Sequence, residues 1–130
     1  MNLVDKTVEI ILSSCSKYKN PLVIKSLKNF GDVLHCSIVV NHYRHLNLKA
    51  PIIWAISEKY IDATKYYKHA TEIVGLPHEL TLEDRQRVNS ILKRKINILS
   101  PCVGVSGENC ANNIADQFFN NAKIKQLLVK

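Results

Sequence analysis

Gly31-Asp32 stands between a short apolar run, Pro21-Leu-Val-Ile-Lys-Ser-Leu27, and a stretch with helical spacing that starts at once. A carboxylate at a strand-to-helix junction has two uses. It can cap the helix by accepting hydrogen bonds from first-turn amides. It can also serve as a general base, taking a proton from a hydroxyl at the open edge of a sheet. Lys25 and Lys28 are near in sequence and would keep Asp32 ionised. Gly31 lets the backbone turn sharply or lets a ligand approach closely. The local pattern leaves cap and base open.

Three histidines follow, His35, His42 and His45, at i, i+7 and i+10 on roughly one side of the expected helix. A metal site needs convergence and a fourth ligand, and this spacing supplies neither, so no metal is expected. His35 is set apart by lying one turn from Asp32. It could touch a substrate phosphate or hydroxyl, or it could be a surface histidine. The loop Gly104-Val-Ser-Gly107-Glu-Asn-Cys110 precedes a helical pattern, and amides at a helix start can hold phosphate. It matches neither GxxxxGK[ST] nor GxGxxG, and an ordinary turn is the simpler reading. The four cysteines, Cys15, Cys36, Cys102 and Cys110, form no CxxC pair, and reduced thiols are expected.

The elements that would position these groups alternate. Residues 3–18 read as a helix with Val4, Val8, Ile11, Leu12 and Cys15 on one face. Strands are expected at 22–27, 51–57, 71–75 and 96–100, and helices at 32–46, 59–68, 82–95 and 111–128. In the helix at 32–46, Val33, Leu34, Ile38 and Leu46 form the apolar stripe. Leu82, Val88, Ile91 and Leu92 are expected inward, and Thr81-Leu-Glu-Asp84 has the outline of a capping box. Near-continuous apolar strands joined by helices imply an α/β, Rossmann-like three-layer domain with a mostly parallel sheet of about four strands. Ligands of such sheets bind at the carboxyl ends of the strands. That edge would gather the loop Lys28–Asp32, Ser57-Glu58 and the loop Pro101–Cys110.

The chain has 130 residues, 46% of them apolar, which suits one globular domain rather than disorder. No apolar run is long enough for a transmembrane helix, and the start, Met1-Asn-Leu-Val-Asp5, does not resemble a signal peptide. The formal charge of +7 favours anionic partners: phosphorylated ligands, an anionic membrane face or nucleic acid. The basic residues are spread along the chain, with one short cluster at Lys93-Arg-Lys95. Nucleic acid is the least favoured partner, because no basic stripe with interleaved aromatics is present.

Two blocks carry a resemblance. Val23-Ile-Lys-Ser-Leu-Lys-Asn-Phe-Gly31-Asp32-Val-Leu-His35 resembles the first strand, loop and helix start of the bacterial heptosyltransferases, the ADP-heptose:lipopolysaccharide glycosyltransferases. Lys49-Ala-Pro-Ile-Ile-Trp54-Ala-Ile-Ser-Glu58-Lys-Tyr60 is similar to that family's next strand, an aliphatic-Trp-x-aliphatic run closed by Glu and an aromatic. The chain departs from the family in having Ile38 where a proline is common, and in the helix ahead of the first strand.

The resemblance implies a two-domain GT-B architecture. Residues 1–20 would be an added helix, residues 21–130 the acceptor-side half, and the C-terminal donor domain a missing partner. It implies that Asp32 is the general base that deprotonates an acceptor hydroxyl for inverting transfer. Ser26, Lys28, Gly31 and His35 would form the acceptor site. The donor would be a nucleotide-sugar, with no metal cofactor, and the acceptor a sugar or lipid-linked saccharide like the phosphate-bearing core of lipopolysaccharide. A cytoplasmic location with peripheral contact to an anionic inner membrane follows from the same resemblance. The competing expectation is a non-catalytic Rossmann-like module for an anionic ligand or a partner protein.

Overall fold

The computed structural model describes residues 2–26, 29–45 and 49–99. The loop Pro101–Cys110 and the helix expected at 111–128 lie outside the described residues, as does Lys28.

Asn2 caps the first helix, α1 (Leu3–Cys15), by accepting a 2.8 Å hydrogen bond from the Asp5 amide. Four parallel strands follow: β1 (Leu22–Lys25), β2 (Ile52–Ser57), β3 (Glu72–Leu76) and β4 (Asn97–Leu99). Their order across the sheet is β3-β2-β1-β4. The chain steps one way from β1 to β3 and then crosses back to place β4 on the other side of β1. The direction of winding therefore reverses between β1 and β4, the switch point where open α/β sheets hold ligands. The fold is α/β and Rossmann-like, as the alternation of elements implies.

Every residue of β1 and β2 is buried, which is why both read as continuous apolar runs. Alternation along the strands divides the core in two. Leu22, Ile24, Ile52, Trp54 and Ile56 pack under α2 (Phe30–His45). Val23, Ile53, Ala55 and Leu76 pack under α1 and α4 (Leu82–Leu92). Glu72 ties α1 to the edge strand β3, accepting from the Ser14 hydroxyl and the Lys17 ammonium at 2.8 Å each.

Several elements differ from the expectation. The helix after β1 starts at Phe30, two residues early, because the Asn29 carbonyl already accepts from the Asp32 and Val33 amides. Its inward face is Val33, Cys36, Val40 and Tyr43. Leu34 and Ile38 fall outside that stripe and are exposed. The helix expected at 59–68 is a 3-10 turn (Glu58–Tyr60) running into the single turn α3 (Ile61–Thr64). The chain leaves the helix so that Tyr67 can pack on Trp54 and donate from its hydroxyl to the Ser37 carbonyl at 2.6 Å. The capping box at Thr81 and Asp84 forms with both hydrogen bonds, although Leu82 is exposed rather than inward. Among the described residues, no helix is long and apolar enough to cross a membrane.

Candidate functional site

Asp32 lies within the first turn of α2, partly exposed, at the end of the sheet where β1 delivers the chain. It is not the cap residue, since the helix begins ahead of it. A carboxylate in a first helical turn is still favoured by the helix dipole. Its charge acts on the Arg85 guanidinium of α4 and on the Cys36 thiol beneath it. Burial lowers the affinity of Arg85 for its proton, and Asp32 works against that.

Gly31 sits inside α2, so it makes no sharp turn there. A Cβ added at Gly31 would meet nothing within 4 Å, which leaves the space beside Asp32 open to an approaching group. Ser26 is buried directly after β1. Its hydroxyl accepts from the Trp54 indole at 2.9 Å and is hydrogen-bonded to Cys36. Cys36 is thus hydrogen-bonded to Ser26 and also feels the charge of Asp32. His35 is carried on α2, and Lys28 lies outside the described residues.

Lys25 behaves unlike its expected role. It ends β1 on the same side as Val23, towards α4, and is only 1% exposed. Its ammonium has no hydrogen-bond partner among the described residues. Burial, with the Arg85 charge added, pushes its pKa down to about 8 from the ordinary 10.5. Among the described residues, Arg85 of α4 is a cation on which the Asp32 charge acts.

Lys25 lines a small cavity at the carboxyl ends of three strands, together with Ser26, Ser57, His78, Leu80 and Arg85. Ser57 ends β2, and its hydroxyl is 2.6 Å from Nδ1 of His78, just past β3. The ring of Tyr60 stacks edge-on against His78. Arg85 is anchored by donating to the Leu80 carbonyl at 3.0 Å. Among the described residues, no Asp or Glu lines this space. It can therefore attract an anion, and its hydroxyls and imidazole can complete the hydrogen bonding.

The sequence reading anticipated the carboxyl edge and Ser57, but it missed His78, Arg85 and the inward turn of Lys25. The usable signal was a lysine at the end of a strand with no exposed position. Among the described residues, no group of three His, Cys, Asp or Glu is placed to hold a metal ion.

Compared with known proteins, the chain matches no family model, no curated protein and no solved structure.

Proposed function

We propose that this domain is the acceptor-side half of an inverting glycosyltransferase of the heptosyltransferase type, with Asp32 as its general base. The observation that carries the reading is the position of Asp32. It follows the inner strand β1 after a short loop, sits partly exposed in the first turn of α2, and has open space at Gly31 beside it. In the reaction, the Asp32 carboxylate takes the proton of an acceptor hydroxyl. The freed oxygen pair bonds to the anomeric carbon of a nucleotide-sugar, and the nucleoside diphosphate departs with the electron pair of the broken bond. The configuration inverts because attack and departure are on opposite faces. The donor would be held by a second domain, and Lys28 and His35 would help hold the acceptor, with Ser26 buried against Trp54. The formal charge of +7 suits a phosphate-bearing, lipid-linked acceptor at an anionic cytoplasmic membrane face.

The test is sugar transfer by the full protein from ADP-heptose to a lipopolysaccharide-core acceptor. Asp32→Asn keeps the size and removes the basicity. Transfer should fall by about 100-fold or more, within the usual range for general-base catalysis, while donor affinity stays the same. Unchanged transfer in Asp32→Asn would reduce the residue to a first-turn charge.

A further inference from the structure

We propose that the cavity beneath Lys25 is a binding site for the terminal phosphate of a small phosphomonoester, held by Lys25 and Arg85 with Ser57 and His78 as further hydrogen-bonding partners. The inference is independent of the role of Asp32. It rests on four features of the cavity: an unpartnered buried amine, the charge balance, the size and the position in the fold.

The amine comes first. Lys25 lines the cavity, and its Nζ is buried and lacks a hydrogen-bond partner among the described residues. An ammonium without a partner is costly inside a protein, and an anionic oxygen is the group that satisfies it best. Three donors on one nitrogen can be shared among the oxygens of a single oxyanion.

The charge balance selects the class of anion. Among the described residues, two cationic side chains line the cavity and no carboxylate does. Asp32 acts on Arg85 from outside the cavity lining. A phosphomonoester carries about −1.5 to −2 near pH 7 and can neutralise both cations. A carboxylate carries a single charge and offers fewer oxygens to the two lining cations.

Size and position agree with that choice. The cavity has about 10 Å³ of room for a water-sized group, enough for about one phosphoryl oxygen. It is open to solvent, so the other oxygens and the ester group would lie outward. The walls come from the ends of β1 and β2, the segment after β3, and α4. This is the carboxyl edge of a parallel sheet, next to the reversal between β1 and β4. In the tautomer where His78 Nδ1–H donates to it, the Ser57 hydroxyl keeps its own proton to donate to the ligand.

The experiment measures the thermal midpoint and Trp54 fluorescence of the full chain at constant ionic strength. The added probes are inorganic phosphate, glycerol 3-phosphate and acetate. Trp54 is the sole tryptophan and bonds to Ser26 on the cavity wall, so its emission should respond. The expected result is a saturable response to both phosphate probes and none to acetate. Lys25→Met and Arg85→Gln should each weaken phosphate binding by about tenfold or more. Tighter binding of glycerol 3-phosphate identifies an ester as the ligand. Equal binding identifies the phosphoryl group alone as what is recognised. No saturable response in the wild type, an equal response to acetate, or an undiminished response in Arg85→Gln would overturn the proposal. Arg85 is only partly buried, so that variant decides the matter even if Lys25→Met fails to fold.

Discussion

The indole Nε1 of Trp54, on β2, donates a buried 2.9 Å hydrogen bond to the hydroxyl of Ser26, the residue after β1. The Ser26 amide also donates to the Ala55 carbonyl at 2.8 Å. The two bonds extend the β1–β2 pairing past the last residue of β1 and fix the start of the loop that leads to Asp32. Trp54→Phe keeps most of the packing and deletes the indole donor. It should cost about 1–3 kcal/mol, the penalty for a buried hydroxyl that loses a partner. Trp54→Ala should cost about 3–5 kcal/mol. Urea unfolding followed by circular dichroism gives both values; a loss in Trp54→Phe well under 0.5 kcal/mol would show that the bond is dispensable.

Gly31 separates stability from the proposed chemistry. It lies in helical backbone with free space around its Cα, so Gly31→Ala should stabilise the domain by about 0.5–1 kcal/mol through helix propensity. If an acceptor approaches Asp32 across that space, the same methyl should reduce sugar transfer. A variant that is more stable and equally active would remove Gly31 from the acceptor site.

Gly75 presents the opposite case. A Cβ there would lie 3.1 Å from Cβ of Glu58 and 3.2 Å from both its Cα and Cγ1 of Ile61. The 3-10 turn after β2 therefore rests directly on β3. Gly75→Ala should cost about 1–3 kcal/mol, because backbone has to give way. Thermal unfolding measures it, and a neutral substitution would mean that the turn yields easily.

Lys25 and two thiols act in opposite directions on stability between about pH 8 and 10. Between about pH 8 and 10.5 the folded chain has lost a proton from Lys25 that the unfolded chain still holds. Unfolding takes up a proton there, so stability rises with pH. Cys15 and Cys36 act the other way. Burial raises both thiols to about 11 from 9.0, with Glu72 adding to the shift at Cys15. Above pH 9 their unfolding releases protons and stability falls. Each proton contributes about 1.4 kcal/mol per pH unit. In phosphate-free buffer, stability should therefore rise from pH 8 to a maximum near 9 and then decline. Lys25→Met should abolish the rise and keep the decline, as read from urea midpoints at stepped pH. A rise that survives in Lys25→Met belongs to another group.

Much of the architecture could be read from the residues because burial on both faces leaves its mark on a strand. Leu22 to Ile24 and Ile52 to Ile56 are continuous apolar runs, and the alternation with helices implied the parallel sheet. The capping box at Thr81 and Asp84 was visible because its hydrogen bonds span only three residues. Failures came where distant contacts decide. Tyr67 ends α3 by reaching Trp54, a contact no local pattern encodes. Leu34 and Ile38 suit an apolar stripe as well as Cys36 and Val40 do, and only the position of the sheet selects between them. Lys25 was expected beside Asp32, keeping it ionised, whereas strand alternation turns it towards α4. His78 and Arg85 come from elements well separated in sequence from Lys25, so their convergence is a property of the folded topology.

The β1 register places Leu22 opposite Ile52 on one side and opposite Asn97 on the other. The first pairing spans a single crossover; the second must wait for nearly all of the described chain. Distant parallel pairings of this kind slow folding. The cavity beneath Lys25 has the same dependence, since Arg85 is its last wall to be synthesised. A nascent chain that has not yet emerged past Arg85 has a half-built pocket with a lone amine and no second cation. An anion that binds the finished cavity favours only the completed domain, by mass action. Such a ligand would act as a latch at the end of assembly, biasing the chain against incomplete intermediates without altering the order in which its strands join.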